Sequence, residues 1–257
     1  MIELKNVFYT YNSRRALGGV SLSINRGEHV AIIGPNASGK TTLAMVMNAL
    51  LMPDRGDCIV DGINTRDDAP RARRAVGLVF QDPECQAVAR HIRDDVAFGP
   101  RNLGLPAPET EARVSGSLEA VGMGGFIDRE IRGLSGGQKQ LLAIAGVLAM
   151  RPPYVIMDEP TSLLDGRGKD AVGNAIAGLK KTGKGVIVIT HDMSEALRAD
   201  RVIVLDGGRI IAAAPPRAIF SDGALLERIG VDPPYAFKLM QELGRDVLKG
   251  EWGRICR

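Results

Sequence analysis

Short runs of consecutive apolar residues recur along the chain, separated by longer stretches with helical spacing. HVAIIG (29–34), AVGLVF (75–80), YVIMDE (154–159) and GVIVITH (185–191) are such runs, each of strand length. Continuous apolarity over so few residues marks strands of the buried kind, as in a parallel sheet. Several of these runs end in a polar or charged residue, and strand ends are where an open parallel sheet gathers its ligand-binding groups. TTLAMVMNALL (41–51) follows the first run with helical length and spacing. The alternation predicts an α/β fold with helices against a sheet.

From about Glu84 to Met150 the pattern changes. Strand-like runs are few, and EARVSGSLEAVG (111–122) and GGQKQLLAIAGVLAM (136–150) have helical spacing. This stretch is expected to be a mostly helical insertion, about 84–150, in a sheet domain spanning 1–220. Beyond Ala214 paired prolines open new segments, in PPRAIF and in DPPYAFKLMQEL. Residues 221–257 are expected to form a small helical extension. Ala236, Met240, Leu243 and Val247 recur there at spacings of three and four, which places them on one helix face.

Composition narrows the classes. The 257 residues are 45% apolar and 25% charged, as in an ordinary soluble globular protein. No apolar run reaches the roughly 18–20 residues that span a bilayer. The start, MIELKNVFYT, lacks the basic flank and apolar stretch of a signal peptide. Any membrane connection is therefore expected to come through a partner. A net charge of +3, with both signs spread along the chain, is too weak to argue for a nucleic-acid surface, and no nucleic-acid partner is expected. The cysteines (Cys58, Cys85, Cys256) are scattered without metal spacing and read as reduced thiols.

Candidate chemistry sits at the strand ends. Gly34-Pro35-Asn36-Ala37-Ser38-Gly39-Lys40-Thr41-Thr42 fits the phosphate-loop spacing between a predicted strand and a predicted helix. Its glycines let backbone N–H groups wrap phosphates, and the helix N-terminus adds its positive dipole end. Lys40 would reach the terminal phosphates of ATP and the Thr41 hydroxyl would ligate Mg²⁺. YVIMDE supplies two adjacent carboxylates: Asp158 to hold Mg²⁺ and Glu159 to orient or deprotonate an attacking water. A second glycine loop, LSGGQ (134–138), opens another helix far downstream. Alone, its Ser135 and glycines would read as a helix cap.

Together GPNASGKTT, LSGGQ before a helix, YVIMDEPTSLLD and VIVITHD resemble the nucleotide-binding subunit of an ATP-binding-cassette (ABC) protein over roughly residues 1–220. The resemblance implies a phosphate-loop NTPase core and a head-to-tail pair of ATPase chains. ATP would lie between one chain's phosphate loop and Ser135, Gly136, Gly137 and Gln138 of the other. Further positions match the family: Tyr11 as the aromatic that stacks on adenine, with Tyr9 and Phe8 as competitors; Gln81 as the glutamine that senses Mg²⁺ and water; Asp165 in the loop that signals across the dimer; and His191 as the γ-phosphate contact. Three positions depart. Ala37 replaces a glycine, tolerable if its φ is not positive; Leu141 replaces a basic residue; and Leu164 replaces a smaller one.

The segment QDPECQAVARHIRDDVAFGPRNLGLP (81–106) resembles the matching stretch of energy-coupling-factor importer ATPases, including the cobalt and nickel type. In that family a groove here, with Val96 and Phe98, receives helices of a membrane protein, and the C-terminal extension helps hold two ATPase chains together. The implied role is a peripheral ATPase on the cytoplasmic face of the membrane. It would drive uptake of a vitamin or a transition-metal ion through an integral membrane component. Another ABC importer type is the nearest alternative. A soluble ABC ATPase should show tandem cassettes, coiled-coil insertions or basic patches, and a phosphate-loop kinase does not explain LSGGQ.

Overall fold

A computed structural model describes residues 1–242. The chain begins with β1 (Ile2–Tyr11), β2 (Arg14–Ile24) and β3 (His29–Ile33), then α1 (Lys40–Met47), β4 (Arg55–Val60), β5 (Ile63–Asn64), α2 (Ala69–Ala75) and β6 (Val76–Val79). Three long helices follow without an intervening strand: α3 (Ile92–Asn102), α4 (Ala107–Ala120) and α5 (Gly136–Met150). The sheet resumes with β7 (Tyr154–Asp158), α6 (Gly166–Lys181), β8 (Gly185–Ile189), α7 (Met193–Ala196), β9 (Arg201–Asp206) and β10 (Arg209–Ala214). Three helices close the described chain: α8 (Pro216–Ser221), α9 (Gly223–Ile229) and α10 (Tyr235–Glu242).

The main sheet has the order β10-β9-β3-β8-β7-β6, with parallel pairing from β9 to β6 and β10 antiparallel at one edge. Every residue of β3, β7 and β8 is buried, as expected for strands covered on both faces. Successive side chains divide between the layers. Tyr154 and Ile156 of β7 join Val30 and Ile32 of β3 in a core shared with the β1–β2 hairpin, whereas Val155 and Met157 face a second core with Ile92, Val114, Ile144 and Val172 of the helices. Leu141 and Leu164, the two apolar departures, pack against that second core.

Other features were not among the elements read from the pattern. A second, antiparallel sheet of order β2-β1-β4-β5 covers one face of the main sheet. Strands β9 and β10 form a hairpin across Gly207 and Gly208, both at positive φ (53° and 74°), a turn that only glycine adopts freely. In α10, the Phe237 ring lies 6.0 Å from Phe220 and is buried in a third core with Ala31, Val202 and Ile229. This part of the extension thus packs on its own chain. Of the expected dimer face, Leu243 and Val247 lie outside the described residues, as do the side chains of Ala236 and Met240.

Candidate nucleotide site

The turn from β3 into α1 admits little but glycine at two points. A Cβ on Gly34 (φ 148°) would lie 1.9 Å from the Leu205 carbonyl oxygen, and one on Gly39 (φ 103°) 2.5 Å from that of Ala16. The loop is pinned from outside as well. Gly208 N donates to Ser38 O at 2.9 Å and Gly18 N donates to Gly208 O at 2.8 Å, so the β9–β10 turn staples the β1–β2 hairpin to the loop. Ala37 corrects the sequence expectation: its φ is +60°, in the left-handed region that the alanine was expected to avoid. The position is exposed, so the methyl meets solvent rather than protein. Its cost is the intrinsic one of about 1–2 kcal/mol for a side chain in that region.

Lys40 is nearly buried, and its Nζ donates to the carbonyls of Gly34 and Pro35, both at 2.8 Å. Burial pulls the ammonium pKa down, while the carboxylates of Glu159 and Asp158 pull it back up. Next along α1, the Thr41 hydroxyl donates to Asp158 Oδ2 at 2.6 Å, joining residues 117 positions apart. Asp158 ends β7 and is only 3% exposed; burial raises its carboxyl above the usual range, against the Thr41 hydrogen bond and the Lys40 charge. Thr42 points into the interior, whereas Asn36 is exposed.

Glu159 follows Asp158 with φ +50°, a left-handed conformation for a non-glycine residue and a form of strain that clusters at functional sites. Its N–H donates to Ile189 O at 2.9 Å, and its Oε2 accepts from His191 N at 3.4 Å. Its Oε1 lies 3.4 Å from His191 Nε2 without hydrogen-bond alignment. Burial pushes this carboxyl up to about 7, with Asp158 and Glu195 adding to the rise. Burial and the Lys40 charge lower the His191 pKa, favouring neutral imidazole. Two atoms here, Ser38 Oγ and Glu159 Oε1, are buried without a hydrogen-bond partner among the described residues. Buried polar atoms are rarely left so, and a polar ligand fits both.

Around this centre stand the remaining candidates. Tyr11, at the hairpin tip, is 44% exposed and meets the Tyr9 ring edge-on at 4.8 Å. Tyr9 is partly buried against the core, so Tyr11 presents the freer face. The register pairs Val79 of β6 with Met157, so Gln81 leaves the sheet edge level with Glu159. A small closed turn presents Gln81: Phe80 N donates to Gln86 Oε1 at 3.1 Å, Gln86 Nε2 donates to Leu78 O at 3.2 Å, and Gln140 Nε2 on α5 donates to Phe80 O at 3.3 Å.

The second glycine loop lies on the helical block. Ser135 caps α5 through a reciprocal pair: Gln138 N donates to Ser135 Oγ at 3.3 Å and Ser135 N donates to Gln138 Oε1 at 3.0 Å. Ser135 and Gly136 are exposed. A Cβ on Gly137 would lie 3.1 Å from Leu163 O, so the loop after β7 presses on this turn. Two residues on, Asp165 caps α6 by accepting from Gly168 N at 2.8 Å. The structure therefore gathers Lys40, Thr41, Asp158, Glu159 and His191 at the strand ends, and Ser135–Gln138 with Asp165 around two helix starts. Sequence reasoning passed over Glu195, whose carboxyl burial raises above its usual range, against the pull of Thr190 and Thr161. In Asp192-x-x-Glu195 its spacing is that of an ordinary helix-capping pair.

A parallel sheet with this loop, lysine and paired carboxylates defines the class: a phosphate-loop ATPase. Residues 17–162 match the family model described as ABC transporter. The chain is 45% identical to the energy-coupling factor transporter ATP-binding protein EcfA1 of Bacillus subtilis (strain 168), over 100% of this chain and 93% of that protein. It is 47% identical to the cobalt import ATP-binding protein CbiO of Syntrophus aciditrophicus (strain SB), over 100% of this chain and 95% of that one. Among solved structures, cbiO1 of Clostridium perfringens, part of the ABC transporter complex cbiONQ, superposes with a TM-score of 0.78 at 33% identity, covering 93% of this chain and 98% of that one. The cassette MJ0796, solved as a dimer with ADP and Pi after hydrolysis, superposes at 0.77 with 31% identity, over 84% and 99% of the two chains. The chain belongs to the ABC transporter ATPase family and is an ATP hydrolase.

Proposed function

We propose that this chain works as one half of a head-to-tail ATPase pair and energises import of a micronutrient, a vitamin or a cobalt or nickel ion. It would do so from the cytoplasmic face of the membrane, through an integral membrane component. The names of its EcfA1 and CbiO relatives support the import reading. The observation that carries the catalytic reading is the Thr41–Asp158 contact of 2.6 Å beside the desolvated Glu159.

The Thr41 hydroxyl and the Asp158 carboxylate are hard oxygen donors of the kind Mg²⁺ takes, with Gln81 as a third. The ion, when bound, neutralises phosphate charge and orients the chain of phosphates. Lys40 supplies a fixed positive charge to the terminal phosphates, and the loop N–H groups cradle the rest. Glu159 holds the attacking water and takes its proton, a role that its raised pKa suits near neutral pH. His191 contacts the γ-phosphate as a neutral donor, Tyr11 stacks on adenine, and Asp165 signals across the pair. Ser135, Gly136, Gly137 and Gln138 complete the partner's site, supported by the positive dipole end of α5 at this loop and the exposure of Ser135 and Gly136.

Mixing two inactive variants tests the shared site. Ser135→Arg blocks the signature loop and Lys40→Ala disables the phosphate loop. A mixed pair retains one complete site, made of the Ser135→Arg chain's phosphate loop and the other chain's signature. Partial ATPase activity should return on mixing, while an active Ser135→Arg protein alone would overturn the trans arrangement. For import, deleting the gene should lower uptake of labelled cobalt, nickel or vitamin, and Glu159→Gln should fail to restore it. Unchanged uptake of all of these would refute the reading.

A further inference from the structure

We propose that Gln140, on the helix that presents Ser135, is a positioning residue for Gln81, holding the strand end from which Gln81 emerges. The inference rests on the reading of Gln81 as a group that meets Mg²⁺ and the attacking water. Gln81 is exposed and makes no hydrogen bond among the described residues, so its place is set by the residues on either side. Asp82 bonds within the turn, accepting from Glu84 N at 3.0 Å. Phe80 is the link to the rest of the fold. Strand β6 ends at Val79, and both peptide groups of Phe80 are taken by side chains. Gln86 Oε1 accepts from Phe80 N at 3.1 Å, and Gln140 Nε2 donates to Phe80 O at 3.3 Å.

The two ties differ in kind. Gln86 belongs to the turn itself, whereas Gln140 lies 60 positions from Phe80 on a firmly seated helix. A Cβ on Gly77 of β6 would lie 2.5 Å from Val147 Cγ1 of α5, so strand and helix are in direct contact. Leu142, Ile144 and Ala145 bury the helix in the second core beside Val79. Lys139 adds an ion pair with Glu84 in the outer part of the same turn. The Phe80 ring packs against the first core, which leaves its carbonyl, and the direction in which the chain departs, to Gln140. Packing alone does not call for an amide here. Gln140 is 1% exposed, and its Oε1 is buried without a hydrogen-bond partner among the described residues. An orphaned buried acceptor costs stability, and an apolar side chain of this size would avoid that cost. What the amide supplies is the Nε2 donor, which the Phe80 carbonyl requires. A polar group kept at such a cost, bonded to the residue next to Gln81, fits positioning better than filling.

The test is Gln140→Met, which keeps length and approximate volume and removes the donor and the orphaned acceptor together. Nucleotide-free protein is read first, by hydrogen exchange. Amides of residues 80–86 should exchange faster than in wild type, with those of β7 and β8 unchanged. Steady-state hydrolysis should lose roughly ten- to a hundredfold in kcat, the scale for a group misplaced by up to about 1 Å, with MgATP affinity by calorimetry within about threefold of wild type. Because Gln140 acts through Gln81, adding Gln140→Met to Gln81→Ala should cost no more than about a further twofold. Wild-type kcat in Gln140→Met, unchanged exchange at 80–86, or a second loss of full size in the Gln81→Ala background would each overturn the inference. Should Gln140→Met not fold, Gln140→Glu keeps the shape without the donor and must show the same selective loss. Gln81→Ala alone separates the two layers. If it hydrolyses ATP at the wild-type rate, the reading of Gln81 fails and this inference with it; if it is impaired while Gln140→Met is normal, only the Gln140 inference fails.

Discussion

Glu159→Gln should make the nucleotide-free protein more stable while nearly abolishing hydrolysis, and the two effects have one cause. Desolvation moves this carboxyl from its ordinary 4.5 to about 7 in the folded protein. The folded state then holds a proton that the unfolded state has released, so wild-type stability falls as pH rises from about 4.5 to about 7. At 1.36 kcal/mol per pH unit the loss is roughly 3 kcal/mol, fully present at pH 8 and largely absent at pH 5. Glutamine keeps the shape without the buried charge, and its amide can donate toward His191 Nε2, 3.4 Å from Oε1. Urea or thermal unfolding should show the variant more stable than wild type at pH 8 by about 2–3 kcal/mol, with the gap closing by pH 5. Hydrolysis should fall about a hundredfold or more, the scale of losing a general base, with ATP still bound. In the wild type, with Mg²⁺ saturating, kcat/KM should decline as pH drops below about 7. A stability gain equal at pH 5 and pH 8 would refute the buried-charge argument, and near-wild-type turnover would remove Glu159 from catalysis.

Lys40→Ala removes a charge-assisted contact worth about 1.5–3 kcal/mol, so titration calorimetry should show MgATP affinity lower by roughly ten- to a hundredfold; unchanged affinity would contradict the phosphate-loop assignment. Ala37→Gly should stabilise by no more than about 1 kcal/mol in urea melts, because relief of the left-handed strain is offset by a freer unfolded chain. A clear loss of stability would mean that Ala37 is not strained. His29, buried at the start of β3, has its pKa lowered from 6.5 to about 4 by desolvation. The unfolded chain takes a proton that the folded one refuses, so stability is lost as pH falls from 6.5 toward 4, by roughly 3 kcal/mol, and His29→Gln should flatten that dependence in unfolding measured across the range.

The parts of this protein that could be read from its residues are those where backbone geometry leaves few choices. Gly34 and Gly39 are recognisable because nothing larger fits beneath the Leu205 and Ala16 carbonyls. Those carbonyls themselves come from β9 and β2, distant in sequence, and no local pattern announces them. Strands β3, β7 and β8 were legible because burial on both faces leaves an unbroken apolar run. The antiparallel sheet was not, because shifts in the β1 register after Leu4, Val7 and Tyr9 break the alternation that would reveal it. Ala37 shows the converse limit. A residue type constrains its φ only by about 1–2 kcal/mol, and a loop pinned at Ser38 and Gly39 imposes the left-handed turn regardless.

Ser135 shows why a local reading and a functional one need not compete. Read alone, Ser-Gly-Gly is a helix start, and the structure makes it one: the hydroxyl oxygen accepts from Gln138 N, and Gln138 returns the bond to Ser135 N. A hydroxyl that accepts through a lone pair still has its proton to give. The reciprocal cap holds Oγ over the first turn of α5, while Ser135 and Gly136 remain exposed. Gly137 lets the loop after Glu159 lie directly against the same turn, with the Leu163 carbonyl only 3.1 Å from where a side chain would begin. The loop after Glu159 and the turn that carries Ser135 are thus direct neighbours within one chain. Ser135→Ala would lose about 1 kcal/mol of helix stability together with the hydroxyl donor.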